Sequence, residues 1–360
     1  MTAVTDVLAP EQLDTGRPAL RIRAGRVAWR WDLRTVTVCT VSVVLTAVVA
    51  VAALANGAYS LSPSEVITAL LGRADGLVHT VVWDWRLPRV GSSVVFGAAL
   101  GASGAVFQSL NRNPLASPDV LGFSTGAYTG ALLMLITVGG GFVSMATGAF
   151  GGGLAVAAAV YLLAYRGGVQ GFRMIIVGIA ISSMLGSLNT WLILTADLHV
   201  AISAAAWGAG SLAGITAGQL AGATLLIVLF AVALAPLAAR LKALDLGDDA
   251  AAALGVKVER SRVLLMIAGV GLTATATAAA GPIMFVALVA PQLARRLTNT
   301  ASVTIGASAC LGALLLVVAD YLALHALGDH VMPVGVVTVT IGGLYLIWLL
   351  IREGRRRTSR

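Results

Sequence analysis

Apolar runs of about 20 residues, the length that crosses a ~30 Å hydrocarbon core, recur along this chain, and its charged residues crowd into the short stretches between them. A window of about 19 residues places such runs near 34–57, 90–109, 118–137, 141–165 and 173–195, then near 217–239, 261–280, 282–297, 303–325 and 333–351. The pattern predicts an all-α polytopic membrane protein with ten transmembrane helices and both termini on one side.

Two stretches break the pattern. "RNPLASPDVLG", Arg112 to Gly122, sets two prolines, an Arg and an Asp between runs of small and apolar residues. Pro114 and Pro118 lack an amide donor and fix φ, so a helix must break there. Asn-Pro and Ser-Pro also start ordinary turns. The eighth run, "AAAGPIMFVALVAPQLARR", is short and carries Pro282 and Pro291, which predicts a tilted or broken span. Irregular backbone at membrane depth persists only where protein or a water-lined cavity satisfies it. Most of the 41 glycines read as packing residues, because small side chains let helices approach closely in lipid.

Composition supports the membrane reading. Of 360 residues 58% are hydrophobic and 11% charged, against roughly 25% charged in soluble proteins. The net charge of +8 does not point to nucleic acid, since the basic residues lie at run ends and tails without interleaved aromatics. With the termini inside, all of the 24 Lys and Arg except Arg73, Arg86 and Arg89 fall on the inner side. Cytoplasmic loops favour Lys and Arg, so the expected orientation is N-in and C-in. The domain expectation is a cytoplasmic tail over 1–33, a membrane domain over 34–352 with an inner loop at 240–262, and a basic tail over 353–360. The first residues hold Asp6, Glu11, Asp14 and a basic run without an apolar signal core, hence a tail rather than a cleaved signal peptide. Cys39 and Cys310 lie in apolar runs without ligand or redox spacing and read as small hydrophobes.

Candidate chemistry is sparse. Asp320 is the clearest ionisable residue inside a run, near its outer end, and His325 and His330 flank the following loop. No zinc-protease, nucleophile-elbow or phosphate-loop pattern is present, which argues against covalent chemistry and against ATP bound by this chain. The inner loop "RLKALDLGDDAAAALGVKVERSR", Arg240 to Arg262, predicts a short helix stopped at Gly255. It reads either as a solvated connector or as a docking element for a soluble partner.

From about residue 60 onward the chain resembles the membrane permeases of type II ABC importers, which take up ferric siderophores, haem and cobalamin. The resemblance rests on five motifs in order: "RLPR" at 86–89, "GAALGASGAVFQSLNRNPLASPDVLGFSTGA" at 97–127, "LGDDAAAALGVKVERSR" at 246–262, "AAGPIMFVALVAPQLARRL" at 279–297 and "PVGVVTVTIGG" at 333–343. It implies a type II importer permease fold and a transport subunit rather than an enzyme. It also implies no directly bound cofactor or metal, ATP and Mg being held by the partner ATPase. The implied partners are two ATP-binding subunits, a second permease subunit and an extracytoplasmic binding protein that delivers the cargo. Ferric siderophore is the expected cargo, haem or cobalamin the competing ones; a motor-independent channel or an intramembrane enzyme is the reading from another class.

The resemblance also implies residue roles. Leu246, Gly247, Asp248, Asp249 and Gly255 match the coupling element that fits a cleft of the ATPase. Asn113 and Leu115 match the cytoplasmic gate, with a second gate segment at "RGGVQGF", 166–172. There Gly171 and Phe172 replace the small hydroxyl residues of some relatives. Arg86 and Arg89 match outer residues that dock the binding protein; anchoring in lipid headgroups beside Trp83 and Trp85 is the alternative. A further docking Arg of some relatives has no match before the last span, where His330 stands nearby. Gln292 after Pro291, where many relatives have His, and the last span resemble the second subunit of catecholate-siderophore permease pairs, which implies a heterodimer.

Overall fold

The structure is a computed structural model, and it describes residues 19–24, 27–57, 59–139, 141–165, 171–326 and 332–358. Strands β1 (Ala19–Ala24) and β2 (Val27–Asp32) form an antiparallel pair in which Ala19 faces Asp32. No element was expected in this tail. The alternation in "LRIR" and "WRWD" is the strand signal that a search for long apolar runs passes over.

Helix α1 (Leu33–Ala55) starts at Asp32, whose carboxylate accepts from the Arg34 N–H at 3.0 Å. Short α2 (Pro63–Leu70) opens with a reciprocal capping box between Ser62 and Glu65. One turn, α3 (Leu77–His79), then leads through a π-helical segment, Thr80–Arg86, into α4 (Leu87–Leu110). Next come α5 (Phe123–Thr137), α6 (Phe142–Ala164), α7 (Gly171–Thr195) and α8 (Leu198–Gly208). Helix α9 (Ala217–Leu234) bends through a 3-10 turn at Pro236 into α10 (Ala238–Asp245), and α11 (Asp248–Ala253) follows. The chain closes with α12 (Val258–Ala280), α13 (Val286–Thr298), α14 (Ile305–His325) and α15 (Val334–Thr358). Among the described residues seven helical runs are long and apolar enough to cross a membrane: 33–55, 77–110, 142–164, 171–195, 217–245, 258–280 and 305–325. The other expected spans fall on α5, α13 and α15, of which α5 and α13 are short, with 15 and 13 residues.

Helices α4 and α12 form the centre, with 78% of each apolar window buried, whereas only 11% of α7 is covered. Small residues set how the centre packs. On α4 and antiparallel α14, Gly97 lies against Gly312 and Gly101 against Ser308, backbone to backbone, so that a methyl group at either glycine would collide. The pair α5 and α6 repeats the device, with Gly126 against Gly152 and Gly130 against Gly148. Cys39 of α1 packs against a cluster from α13 and α14, and Cys39 and Cys310 are both free thiols.

The run expected as the eighth span is broken at Pro282, whereas Pro291 is accommodated inside α13. Residues 281–285 leave the helix, Gly281 at φ 73 and Phe285 at φ 69, before α13 begins. Protein satisfies the freed backbone: Ser211 N–H donates to Ala280 O at 2.8 Å, and Phe285 N–H donates to the Asp119 carboxylate at 3.3 Å. Asp119 belongs to the proline-bearing knot, so that knot also caps the start of α13. Apolar α8 was not expected. It is held by Tyr128, which stacks on Trp207 at 5.8 Å between ring centroids and donates its hydroxyl to Ala204 O at 3.1 Å.

Candidate functional site

At the C-terminal end of α4 the chain turns through Arg112, a non-glycine with positive φ (48°) like Phe285 and Asn299. The Asn113 side-chain oxygen accepts from Leu115 N–H at 2.9 Å, which closes a tight turn and leaves Leu115 45% exposed. This turn is tied from outside. The Gln292 side-chain amide of α13 donates to Pro114 O at 2.9 Å and to Gln108 Oε1 at 2.7 Å. Gln108 in turn donates to Leu288 O at 2.9 Å. Gln292 thus fixes the Asn113 turn between α4 and α13; in the sequence it is visible only as an unusual neighbour of Pro291. Gly171 opens α7 against the same turn, and a Cβ there would stand 2.8 Å from Asn111 O. Asn113 and Leu115 are therefore joined in one turn, and Gly171 stands beside Asn111, two residues before it. Phe172 is largely exposed at 76%, and residues 166–170 lie outside the described residues.

The inner loop forms the short helix that its sequence predicts. Gly247 at φ 119 turns the chain into α11, and Gly255 at φ 79 turns it out, its N–H bonded to Ala252 O. Asp248 and Asp249 occupy the first turn, where carboxylates suit the helix dipole. Asp248 does more: it accepts from Arg112 at 2.7 Å and from Arg262 of α12 at 2.8 Å. Arg112 also donates to Leu244 O at 2.9 Å. One carboxylate thus links α11, the Asn113 turn and α12. Around it Leu246 (70%) and Leu254 (66%) are exposed, and so is Asp249. The role of Arg112 was not anticipated, because no local spacing connects it with residues 136 positions later.

Arg86 and Arg89 are not free ends. Arg86 donates to Leu54 O at 2.6 Å and Ala55 O at 3.2 Å, and also to Tyr59 O, which closes the C-terminus of α1. Arg89 grips Asp320 of α14 with Nε at 3.0 Å and Nη2 at 2.8 Å, the side chains being 16% and 3% exposed. Arg86 and Arg89 therefore both carry internal partners. A guanidinium has five N–H donors, and among the described residues no hydrogen bond engages Arg89 Nη1 or Arg86 Nε. Asp320, the clearest ionisable residue inside an apolar run, is the partner of Arg89. His325 bonds Tyr321 O through Nδ1 at 2.8 Å and stacks on that ring; His330 lies outside the described residues. Trp83 donates its indole N–H to Ala69 O at 2.8 Å, while Trp85 is 62% exposed.

On the sparsely covered α7, Ser183, Ser187 and Thr190 are exposed at helical spacing on one face. Two of these hydroxyls return to carbonyls of their own helix, Ser187 to Ser183 O and Thr190 to Gly186 O. Among the described residues no cluster of His, Cys, Asp and Glu is placed to hold a metal ion.

The model of the FecCD transport family matches residues 45–352. The chain is 48% identical over 324 residues to the ferric enterobactin transport system permease protein FepG of Escherichia coli, covering 90% of this chain and 98% of that one. It is 33% identical over 324 residues to the iron(3+)-hydroxamate import system permease protein FhuG of Bacillus subtilis, at 88% and 96% coverage. In structure it resembles a metal-chelate type ABC transporter in an inward-facing conformation, with a TM-score of 0.77 and 28% identity over 88% of this chain and 99% of that one. The overall fold is thus that of an ABC transporter permease. The chain is a multi-pass membrane permease subunit rather than an enzyme, and it belongs to the FecCD transport family.

Proposed function

We propose that this chain is one of two membrane subunits of an ATP-driven importer that carries a ferric siderophore inward. The cargo reading is supported by the ferric enterobactin permease at 48% identity and the iron-hydroxamate permease at 33%. Ten crossings are counted by adding α5, α13 with its extended lead-in, and α15 to the seven long runs. Thirteen helical residues rise only about 20 Å, and the non-helical lead-in supplies the remaining length of span eight. N-in and C-in orientation follows from the Lys and Arg distribution.

The observation that carries the mechanism is the Asp248 bridge between α11 and Arg112. Helix α11, flanked by exposed Leu246 and Leu254, is the part offered to an ATPase cleft, with ATP and Mg held on that partner. Movement of α11 reaches the Asn113–Leu115 turn through one ion pair and the Leu244 carbonyl, with no intervening segment. The turn and Gly171 form the inner gate. The hydroxyl face of α7, left uncovered, lines the path against the second permease subunit, a related chain. Outside, an extracytoplasmic binding protein uses the unspent donors of Arg86 and Arg89.

Co-purification of the tagged chain from its native membrane, with uptake of radiolabelled ferric siderophore, haem and cobalamin after its deletion, tests the reading. Recovery of an ATPase and a second permease with loss of siderophore uptake alone supports it. Loss of haem or cobalamin uptake instead changes the cargo, and recovery without any ATPase overturns the motor.

A further inference from the structure

Between the inner ends of α9 and α12 lies a groove of about 630 Å³ whose wall is formed by Phe230, Leu237, Leu264 and Ile267. Its mouth carries Arg240, Lys257 and Arg260, all exposed. The ion pairs among the described residues engage Arg89, Arg112 and Arg262, and none of these three cations. Neighbouring Leu225, Val228, Leu229 and Val232 on α9 are at least half exposed, the profile of a surface meant for hydrocarbon.

We propose that this groove binds an anionic phospholipid of the inner leaflet, its phosphate held by Arg240, Lys257 and Arg260 and one acyl chain laid along Leu264 and Ile267. The inference rests on the orientation given above, which puts the mouth at the cytoplasmic surface. Two features favour a lipid over an acidic protein. The groove has a cationic end and an apolar end, and Ile267 stands nine residues up α12 from Val258, about 13 Å at 1.5 Å per residue. A soluble partner docked beneath would not reach that depth, whereas an acyl chain does. Basic pockets between spans on the cytoplasmic side are suited to anionic headgroups, at about 1 kcal/mol for each Lys or Arg near the surface. The groove adjoins Gly255 and Val256 at the exit of α11, so a bound lipid would brace the segment that turns the coupling helix back into the membrane.

Native mass spectrometry of the detergent-purified full chain, titrated with phosphatidylglycerol and separately with phosphatidylcholine, tests this without ATPase or cargo. The expected result is one saturable phosphatidylglycerol held in preference to phosphatidylcholine and not displaced by inorganic phosphate. Each single change, Arg240→Gln, Lys257→Gln or Arg260→Gln, should lower its affinity about fivefold, while the charge-retaining pair Arg240→Lys and Arg260→Lys keeps it. Equal binding of the two lipids, displacement by phosphate alone, or unchanged affinity after all three neutralisations would overturn the proposal. So would loss of ATPase co-purification in the triple variant with lipid affinity intact, which would assign the groove to the ATPase. Labelling of Lys257→Cys from the cytoplasmic side in vesicles reads the orientation separately.

Discussion

The Arg89–Asp320 pair gives the sharpest test of how the outer half is held. At 2.8 Å and an effective dielectric of about 20 the attraction is about 6 kcal/mol, and desolvation of the two ions takes back several. Removing one member leaves the other charge in a site where Asp320 is 3% and Arg89 16% exposed. Such losses cost about 3–5 kcal/mol, whereas replacing both members by apolar residues is often close to neutral. Asp320→Leu and Arg89→Met should therefore each lower the melting temperature of the purified chain by about 6–10 °C, taking about 2 °C per kcal/mol. The double variant should recover most of the loss. Fluorescence-monitored melting in one detergent, arranged as a double-mutant cycle, provides the measurement. Additive single effects, or singles indistinguishable from wild type, would refute the assignment of a coupled buried pair. The same geometry bears on docking experiments: Arg89→Glu would set a second carboxylate against Asp320 and damage packing before it reported on a binding protein.

Three further outcomes are expected. Asp248→Asn keeps the side-chain size but loses the charge shared by Arg112 and Arg262; ATPase should still co-purify, with siderophore uptake reduced more than tenfold in vesicles while ATP hydrolysis continues. Gln292→Leu strips Pro114 O and Gln108 of their donor, at about 1–3 kcal/mol for a buried group left unpaired, and should raise accessibility of a cysteine introduced at Leu115 to an aqueous thiol reagent. Gly130→Leu drives a side chain into the Gly148 backbone and should cost more than about 1–3 kcal/mol, the usual range for overpacking, seen as loss of folded protein in size-exclusion chromatography.

The sequence carried much of the helical plan because crossing hydrocarbon imposes length and apolarity on each span, and both are local properties. The break at Pro282, the short inner helix and the stop at Gly255 were legible for the same reason: proline and glycine act where they stand. What escaped was set by distant partners. Arg89 with Asp320, Arg112 with Asp248, and Gln292 with Gln108 and Pro114 join residues far apart in the chain, and spacing along one strand of sequence does not encode such meetings. Helix α8 was hidden because a largely apolar stretch of 11 residues is too short to stand out as a span. The terminal strands were passed over because their period is two.

Glycine contacts between α4 and α14 leave a mark on how this molecule can move. Gly97 meets Gly312, Gly101 meets Ser308, and Arg89 meets Asp320, every step along α4 matched by an equal step back along α14. A slip of one residue would turn each helix by about 100° and drive bulkier neighbours into a gap only hydrogen atoms can fill. The pair has no gear but one, and α5 with α6 is built alike. Alternation between outward and inward states must then leave these two pairs as rigid struts, with the hinge displaced to seams where side chains meet side chains and to the unwound residues 281–285.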